Sequence, residues 1–192
     1  MTRGLVTTRR SHWVAQDHPL AAPLLAELAI EYSTRYERSP GAMHASLVEY
    51  PAERFAPPHG GLLVITVDSE PVAGGAFQRY DHDTAELKRI WTAREHRRRG
   101  LGRHVLDELE TEIARRGYRR IYLTTGPRQP EAVGLYLAAG YTALYDPDLP
   151  AEEIGPHPFE KPLPTAPESR CPRPSRPLDG ERAVRETIGV AQ

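Results

Sequence analysis

The segment Arg97-Arg98-Arg99-Gly100-Leu101-Gly102-Arg103 gathers cations and small residues where a chain could grip an anion. It follows an apolar run and opens a stretch with Leu101, Val105, Leu106, Leu109 and Ile113 at helical spacing. Glycine lets backbone approach a ligand without a Cβ in the way. The first N–H groups of a helix lack internal partners and lie at the positive end of its dipole. Such a loop suits a pyrophosphate, and the arginines would add charge-assisted hydrogen bonds. The alternative is a pair of glycines that merely start a helix beside a solvated basic face. Several anion-binding and hydrolytic classes are excluded by missing residues. A dinucleotide fingerprint needs a third glycine where Val105 stands, and no Gly-Lys pair exists for a nucleotide-phosphate loop. Gly-x-Ser-x-Gly and His-Glu-x-x-His are also absent.

The rest of the chain must supply the elements that hold this loop. Leu5 to Thr8 reads as a short strand. Asp17 is expected to cap a helix with Pro19 in its first turn, and Leu20, Leu24, Leu25, Leu28, Tyr32 and Tyr36 follow at helical spacing. Residues 39–60 read as irregular loop with one short helix near Ala45–Tyr50. Leu62 to Val67 is a continuous apolar run, which predicts a buried central strand. Asp68 to Pro71 makes a turn, Val72 to Tyr80 returns, and Glu86 to Thr92 is another strand. A helix from about Gly100 to Arg116 stops at Gly117. Arg120 to Thr125 is a strand, Pro130 to Ala139 a helix stopped by Gly140, and Tyr141–Tyr145 and Phe159–Leu163 are closing strands. Antiparallel strands followed by a β-α-β crossover predict an α+β fold with a mixed, mostly antiparallel sheet flanked by helices.

Three stretches together resemble the GNAT superfamily of acetyl-CoA-dependent N-acetyltransferases. Arg97-x-x-Gly100-x-Gly102 is similar to its Arg/Gln-x-x-Gly-x-Gly/Ala signature. Ala85-Glu-Leu-Lys-Arg-Ile-Trp-Thr92 resembles its fourth strand, and Gln129 to Tyr141 resembles its later Leu-Tyr-x-x-x-Gly-Phe/Tyr motif. The likeness is strong over residues 62–145, extends over 1–163 and does not reach the C-terminal tail. It implies a GNAT-like sheet whose fourth and fifth strands splay apart to admit the pantetheine arm of acetyl-CoA. The backbone of Ile90, Trp91 and Thr92 would then bond the pantetheine amides. That of Arg98, Arg99, Gly100, Leu101, Gly102 and Arg103 would wrap the pyrophosphate. Side chains among Arg97, Arg98 and Arg99 could reach the 3′-phosphate. Gln129 stands where the family often has a cofactor-contacting asparagine. The alternative for Trp91 is plain sheet packing.

Acetylating an amine sets two proton tasks. An acceptor of pKa about 9–10 must lose a proton before it attacks, and the departing thiolate must be stabilised or protonated. Tyr136, four residues before Gly140, resembles the family tyrosine whose hydroxyl faces the CoA sulfur. The alternative is a tyrosine buried for packing with its hydroxyl bonded elsewhere. Glu86 is similar in placement to the catalytic glutamate of the histone-acetyltransferase branch and is the candidate base. The alternative is an ion pair with Lys88 or Arg89. His82 and Asp83 read as turn residues first and candidates second. In the family the acceptor site uses the first helix, its following loop and the last hairpin. That points to Tyr32, Tyr36, the Phe55–Gly60 loop and residues 146–158, although both tyrosines also belong to an apolar helix face.

Composition bounds these expectations. The 192 residues carry 25 basic and 26 acidic side chains, a net charge of −1, which argues against a broadly electrostatic nucleic-acid binder. Lysine occurs only at Lys88 and Lys161, an arginine bias that codon usage would also produce. A single cysteine, Cys171, excludes an internal disulfide framework and a cysteine-cluster metal site. No run of apolar residues is long enough to span a membrane, and the first ten residues lack a signal-peptide apolar core. A cytoplasmic protein with no metal, nucleic-acid or membrane partner is expected, and a homodimer is left open. The acetyltransferase domain is expected over residues 1–163, with 164–192 a disordered proline- and arginine-rich tail holding one helical turn near 181–190. The expected reaction moves acetyl from acetyl-CoA to a primary amine of a small molecule. A protein or peptide acetyltransferase and a non-catalytic CoA- or nucleic-acid-binding module are the alternatives.

Overall fold

The computed structural model describes residues 8–164. Most of the strand expected at Leu5–Thr8, the proline-rich segment and its helical turn, and Cys171 lie outside the described residues. Seven strands form one sheet: β1 (Arg9–Trp13), β2 (Gly61–Val67), β3 (Glu70–Arg79), β4 (Thr84–Thr92), β5 (Arg120–Thr125), β6 (Thr142–Ala143) and β7 (His157–Pro162). Five helices accompany them: α1 (Ala22–Tyr36), α2 (Pro40–Glu49), α3 (Leu101–Arg115), α4 (Pro130–Ala138) and α5 (Ala151–Ile154). The strand order is β1-β2-β3-β4-β5-β7-β6. The β4–β5 pair runs parallel and every other pair antiparallel. This is the mixed, mostly antiparallel α+β architecture expected.

The apolar run of β2 serves two cores because successive side chains point to opposite faces. Leu63 and Ile65 face α3, where Val105, Leu106, Leu109 and Ile113 are fully buried. Each such side chain contributes roughly 1.5–3 kcal/mol by leaving water. Leu62 and Val64 face the other way, onto Ala21 and Phe55. Beside them Leu24, Leu25 and Leu28 of α1 close over Trp91. Both faces of the central strands are therefore covered, and the strands are held stiffly enough to position a ligand between them.

Three local expectations are corrected, and one strand is added. The first strand among the described residues is β1, Arg9–Trp13, which follows the segment where a strand is expected, Leu5–Thr8. It is an exposed edge, so its polar residues carry no apolar signal, and it is fixed by pairing with β2 and by the edge contact of Trp13 with Phe77. The helical region after it is capped by His18, whose Nδ1 accepts from the Leu20 N–H at 3.1 Å, and not by Asp17. Residues 40–49 form a full helix, where the sequence suggests mostly loop. None of its side chains is fully buried, so it lacks the apolar stripe that periodicity detects. The last hairpin pairs only Thr142–Ala143 with Glu160–Phe159, and its connection carries the short helix α5.

Candidate active site

The opening in the sheet lies at its one parallel pair. β4 and β5 are in register only at Thr84, Ala85 and Glu86 against Arg120, Ile121 and Tyr122. Beyond these residues β4 continues on β3 as far as Thr92, and β5 continues on β7 as far as Thr125. Each strand is anchored by its outer neighbour while the inner edges part, and the β4 edge past Glu86 has no ladder partner on that side. A bulge in β4 accompanies the parting. Gly74 pairs with Trp91 and Ala76 with Lys88, so Arg89 and Ile90 face Gly75 alone. Arg89 takes a φ of 60°, rare for a side-chain-bearing residue. A Cβ at Gly75 would lie 2.7 Å from the Ile90 Cδ1, so glycine lets Ile90 fold over the bulge.

A cavity of about 530 Å³ occupies the opening next to α3. Ile90, Trp91, Thr92, Arg97, Arg98, Gly100, Leu101, Gly102, Arg103 and Gln129, all expected at a cofactor site, line it; Arg99 does not and is exposed. Gly100 precedes the helix with a φ of 78°, which only glycine adopts without strain. No side chain caps α3, and its internal ladder begins with the His104 N–H donating to the Gly100 carbonyl. The amides of Leu101, Gly102 and Arg103 thus stand free at the positive end of the helix dipole.

The arginine side chains of this loop are mostly engaged with the protein itself. Arg97 donates from Nε to the Thr92 carbonyl at 3.1 Å and from its guanidinium to Glu31, tying the loop to β4 and α1. Arg103 donates to Asp107 at 2.8 Å and to the Ala138 carbonyl at 3.1 Å. The backbone, more than the charges, is what the site offers an anion. Trp91 is also doubly used: its ring is buried, and its Nε1 donates to Glu27 at 3.0 Å.

A second cavity, about 770 Å³, lies behind the first. Ile90, Gln129, Ala132 and Tyr136 line both, so the two adjoin along these four residues. Tyr136 is 6% exposed, and burial, with Tyr32 nearby, pushes its phenol well above its ordinary pKa; no hydrogen bond contributes to that shift. The hydroxyl therefore keeps its proton at any working pH. Gln129 accepts at Oε1 from the Thr125 hydroxyl at 2.8 Å and the Gly126 N–H at 3.0 Å. Its amide oxygen is thereby used to fix the turn before α4.

Tyr32 and Tyr36 both line the second cavity, although helix periodicity places them equally well in the core. Burial, with Glu31 and Tyr36 nearby, raises the Tyr32 phenol to about 12. The Tyr36 hydroxyl is buried without a partner. Phe55 alone represents the 55–60 loop, and Gly155 and Pro156 represent residues 146–158.

Glu86 stands apart from both cavities. One carboxylate oxygen pairs with Lys88 Nζ at 2.8 Å, and the other accepts from Gln78 Nε2 at 2.8 Å. Gln78 in turn accepts from the Tyr50 hydroxyl at 2.8 Å. The ion pair with Lys88 is thus formed, and Glu86 does not line the space where an amine would sit. His82 and Asp83 lie in an exposed turn, bonded to each other at 3.0 Å.

Sequence reading passed over Arg89 as anything but a partner for Glu86. Its guanidinium donates to Gln16 Oε1 at 2.7 Å and to the Leu47 carbonyl, and it lies 4.6 Å from the Phe55 ring centre. Two adjacent cations inside an apolar central strand, Lys88 and Arg89, are the signal that could have found it. Among the described residues no group of histidine, cysteine and acidic side chains could hold a metal ion, and no helix is long and apolar enough to cross a membrane.

A mixed sheet parted at its parallel pair, with a glycine loop and an uncapped helix at the opening, defines an acyltransferase-type domain. Residues 24–141 match the acetyltransferase (GNAT) family, and the chain belongs to that family. A stretch of 61 residues is 41% identical to "Probable N-acetyltransferase 14" of Xenopus tropicalis, covering 32% of this chain and 30% of that protein. The match thus spans under a third of that relative. Among solved structures, a GNAT-family acetyltransferase from Staphylococcus aureus Mu50 superimposes with a TM-score of 0.63 at 15% identity, covering 81% of this chain and 100% of that one. PaiA N-acetyltransferase from Thermoplasma acidophilum, in complex with coenzyme A, gives 0.65 at 13% identity, covering 81% and 99%. At these identities the likeness is one of fold.

Proposed function

We propose that the protein is an N-acetyltransferase that moves an acetyl group from acetyl-CoA to the primary amine of a small molecule. The observation that carries this reading is the pair of adjoining cavities that share Tyr136, one of which includes the uncapped start of α3. The coenzyme A complex of the Thermoplasma relative supports the choice of acyl donor.

The residues present fit such a donor. The amides of Leu101, Gly102 and Arg103 suit the pyrophosphate, and the unpartnered β4 edge at Ile90, Trp91 and Thr92 suits the amides of the pantetheine arm. Arg98, exposed at a φ of 60°, is the side chain free to meet an outer phosphate. Acetyl-CoA supplies an acetyl thioester whose carbonyl carbon accepts the amine lone pair; a C–N bond forms and the C–S bond breaks. Tyr136 donates a hydrogen bond to the leaving sulfur. Its raised pKa makes it a weaker acid than the thiol, whose pKa is near 8.5, so it stabilises the thiolate and solvent completes protonation. No carboxylate or histidine lines the acceptor cavity among the described residues. The amine therefore loses its proton to water before it attacks, and Glu86 serves to hold Lys88.

The test is a panel of primary amines incubated with acetyl-CoA and scored by release of CoA thiol. Turnover of a small amine is the expected result. A mass shift of 42 Da on a co-expressed protein, with no small amine consumed, would transfer the reading to protein acetylation.

A further inference from the structure

Arg89 is the least expected charge in the molecule. It is 8% exposed, and none of the described carboxylates forms an ion pair with it. Its hydrogen bonds to Gln16 and the Leu47 carbonyl use neutral acceptors, and its flat faces meet the rings of Phe55 at 4.6 Å and Tyr50 at 5.5 Å. Neutral acceptors orient a guanidinium but leave its charge uncompensated, and a buried charge without a counter-ion is costly. Burial lowers its pKa to about 10, which still leaves it cationic at neutral pH.

The surroundings repeat the same sign. Arg38, Lys88 and Arg89 line the acceptor cavity, and no aspartate or glutamate does. Lys88 is offset by Glu86, which leaves Arg38 and Arg89 to set the field. A purely cationic amine would be repelled from such a space, and an amine that brings its own anion would be drawn in. Arg89 lines the same cavity as Ile90 and Tyr136, the residues that it shares with the donor cavity, so an anion bound at Arg89 and the reacting amine would occupy one space. Arginine's planar fork matches a carboxylate better than any other side chain does.

We infer that the acceptor is a compact primary amine bearing a carboxylate, with Arg89 as the residue that binds the carboxylate and so selects it. This rests on the N-acetyltransferase reading. The transfer is unchanged: the neutral amine attacks the thioester carbonyl, its proton passes to water, and the thiolate leaves. Arg89 adds binding to a group of the substrate that takes no part in the bond changes.

The experiment uses pairs of amines that differ only in the carboxylate: methionine and 3-(methylthio)propylamine, phenylalanine and phenethylamine, histidine and histamine. Each is given to the full chain with acetyl-CoA, and thiol release yields kcat/KM. At least one carboxylate-bearing member is expected to turn over with kcat/KM tenfold or more above its partner. Arg89→Met should then raise KM for that substrate tenfold or more with kcat within threefold and KM for acetyl-CoA unchanged, and Arg89→Lys should recover part of the loss. A purely structural role for Arg89 would lower kcat and acetyl-CoA affinity together. Equal or better turnover of the decarboxylated partners overturns the carboxylate inference and leaves the acetyltransferase reading standing. No thiol release from any pair, with acetyl-CoA still raising the melting temperature, overturns both the small-amine reading and this inference. The wild-type comparison decides the matter even if the Arg89 variants fail to fold.

Discussion

The cavity at the head of α3 takes most of its lining from the contiguous stretch from Ile90 to Arg103, whereas the cavity behind it is assembled from segments scattered along the chain. The second draws on α1, α2, β4, β5, the turn before α4 and the residues before β7. Backbone amides at a helix start can serve any ligand with the same anionic group. Side chains collected from so many places can be changed one at a time. The difference teaches that the proposed donor site is a property of the fold and the proposed acceptor site a property of this sequence.

The sharpest way to break the first region is to fill it. Gly102 lies where free amides meet the cavity, and a Cβ there would come within 3.2 Å of Leu135 Cδ2. Gly102→Glu places a carboxylate beside the expected pyrophosphate. Like charges about 4 Å apart near a protein surface repel by roughly 4 kcal/mol. Acetyl-CoA affinity should therefore fall about a thousandfold. The measurement is the melting temperature with and without acetyl-CoA. A ligand shift equal to that of the wild-type protein would remove the loop from the donor site.

The same contrast explains what could be read from sequence. The loop and α3 were legible because their signal is local: two glycines, then apolar residues at one helical spacing. β2 was legible because burial on both faces leaves a continuous apolar run. β1 was not, since an edge strand needs no apolar face and its partners in β2 lie far along the chain, as Arg9 with Val67. α2 was not, since it packs on α1 without fully burying a side chain. Arg89 is the deepest failure. Its meaning depends on Gln16, Leu47 and Phe55, which no spacing rule brings to β4. Glu86 shows the opposite case: its place in the strand was legible, while its partners Lys88 and Gln78 were only half so, since Gln78 comes from the neighbouring strand.

Tyr136 stands where the two regions meet, and its replacement gives the next largest effect. On the proposed role, Tyr136→Phe would remove one hydrogen bond to a developing thiolate while leaving the ring packed against Tyr141 and Phe159. A hydrogen bond to a charged group is worth about 1.5–3 kcal/mol. The expected result is a fall in kcat of roughly 10–100-fold. Acetyl-CoA affinity should barely change, because the ring that lines both cavities is retained and the proposed hydrogen bond forms only as the thiolate develops. Equal kcat in the variant would take Tyr136 out of the reaction. A matching loss of acetyl-CoA affinity would assign it to donor binding instead.

The smallest effect tests whether the acceptor region contains a base. With no carboxylate or histidine lining that cavity among the described residues, the proposed reaction needs an amine that arrives already neutral. The neutral fraction rises tenfold per pH unit below the amine's own pKa. Log kcat/KM should then climb with a slope near one from about pH 6 to pH 8.5, and level off only at the pKa of the amine. Two acceptors differing in amine pKa should level off at different pH values. Glu86→Gln should keep the slope and lower kcat/KM by no more than about fivefold, through looser placement of Lys88. A plateau that stays at one pH whatever the amine, and vanishes in Glu86→Gln, would restore Glu86 as the base. It would also require the carboxylate to leave Lys88 or Gln78 during turnover, since each of its oxygens is engaged by one of them.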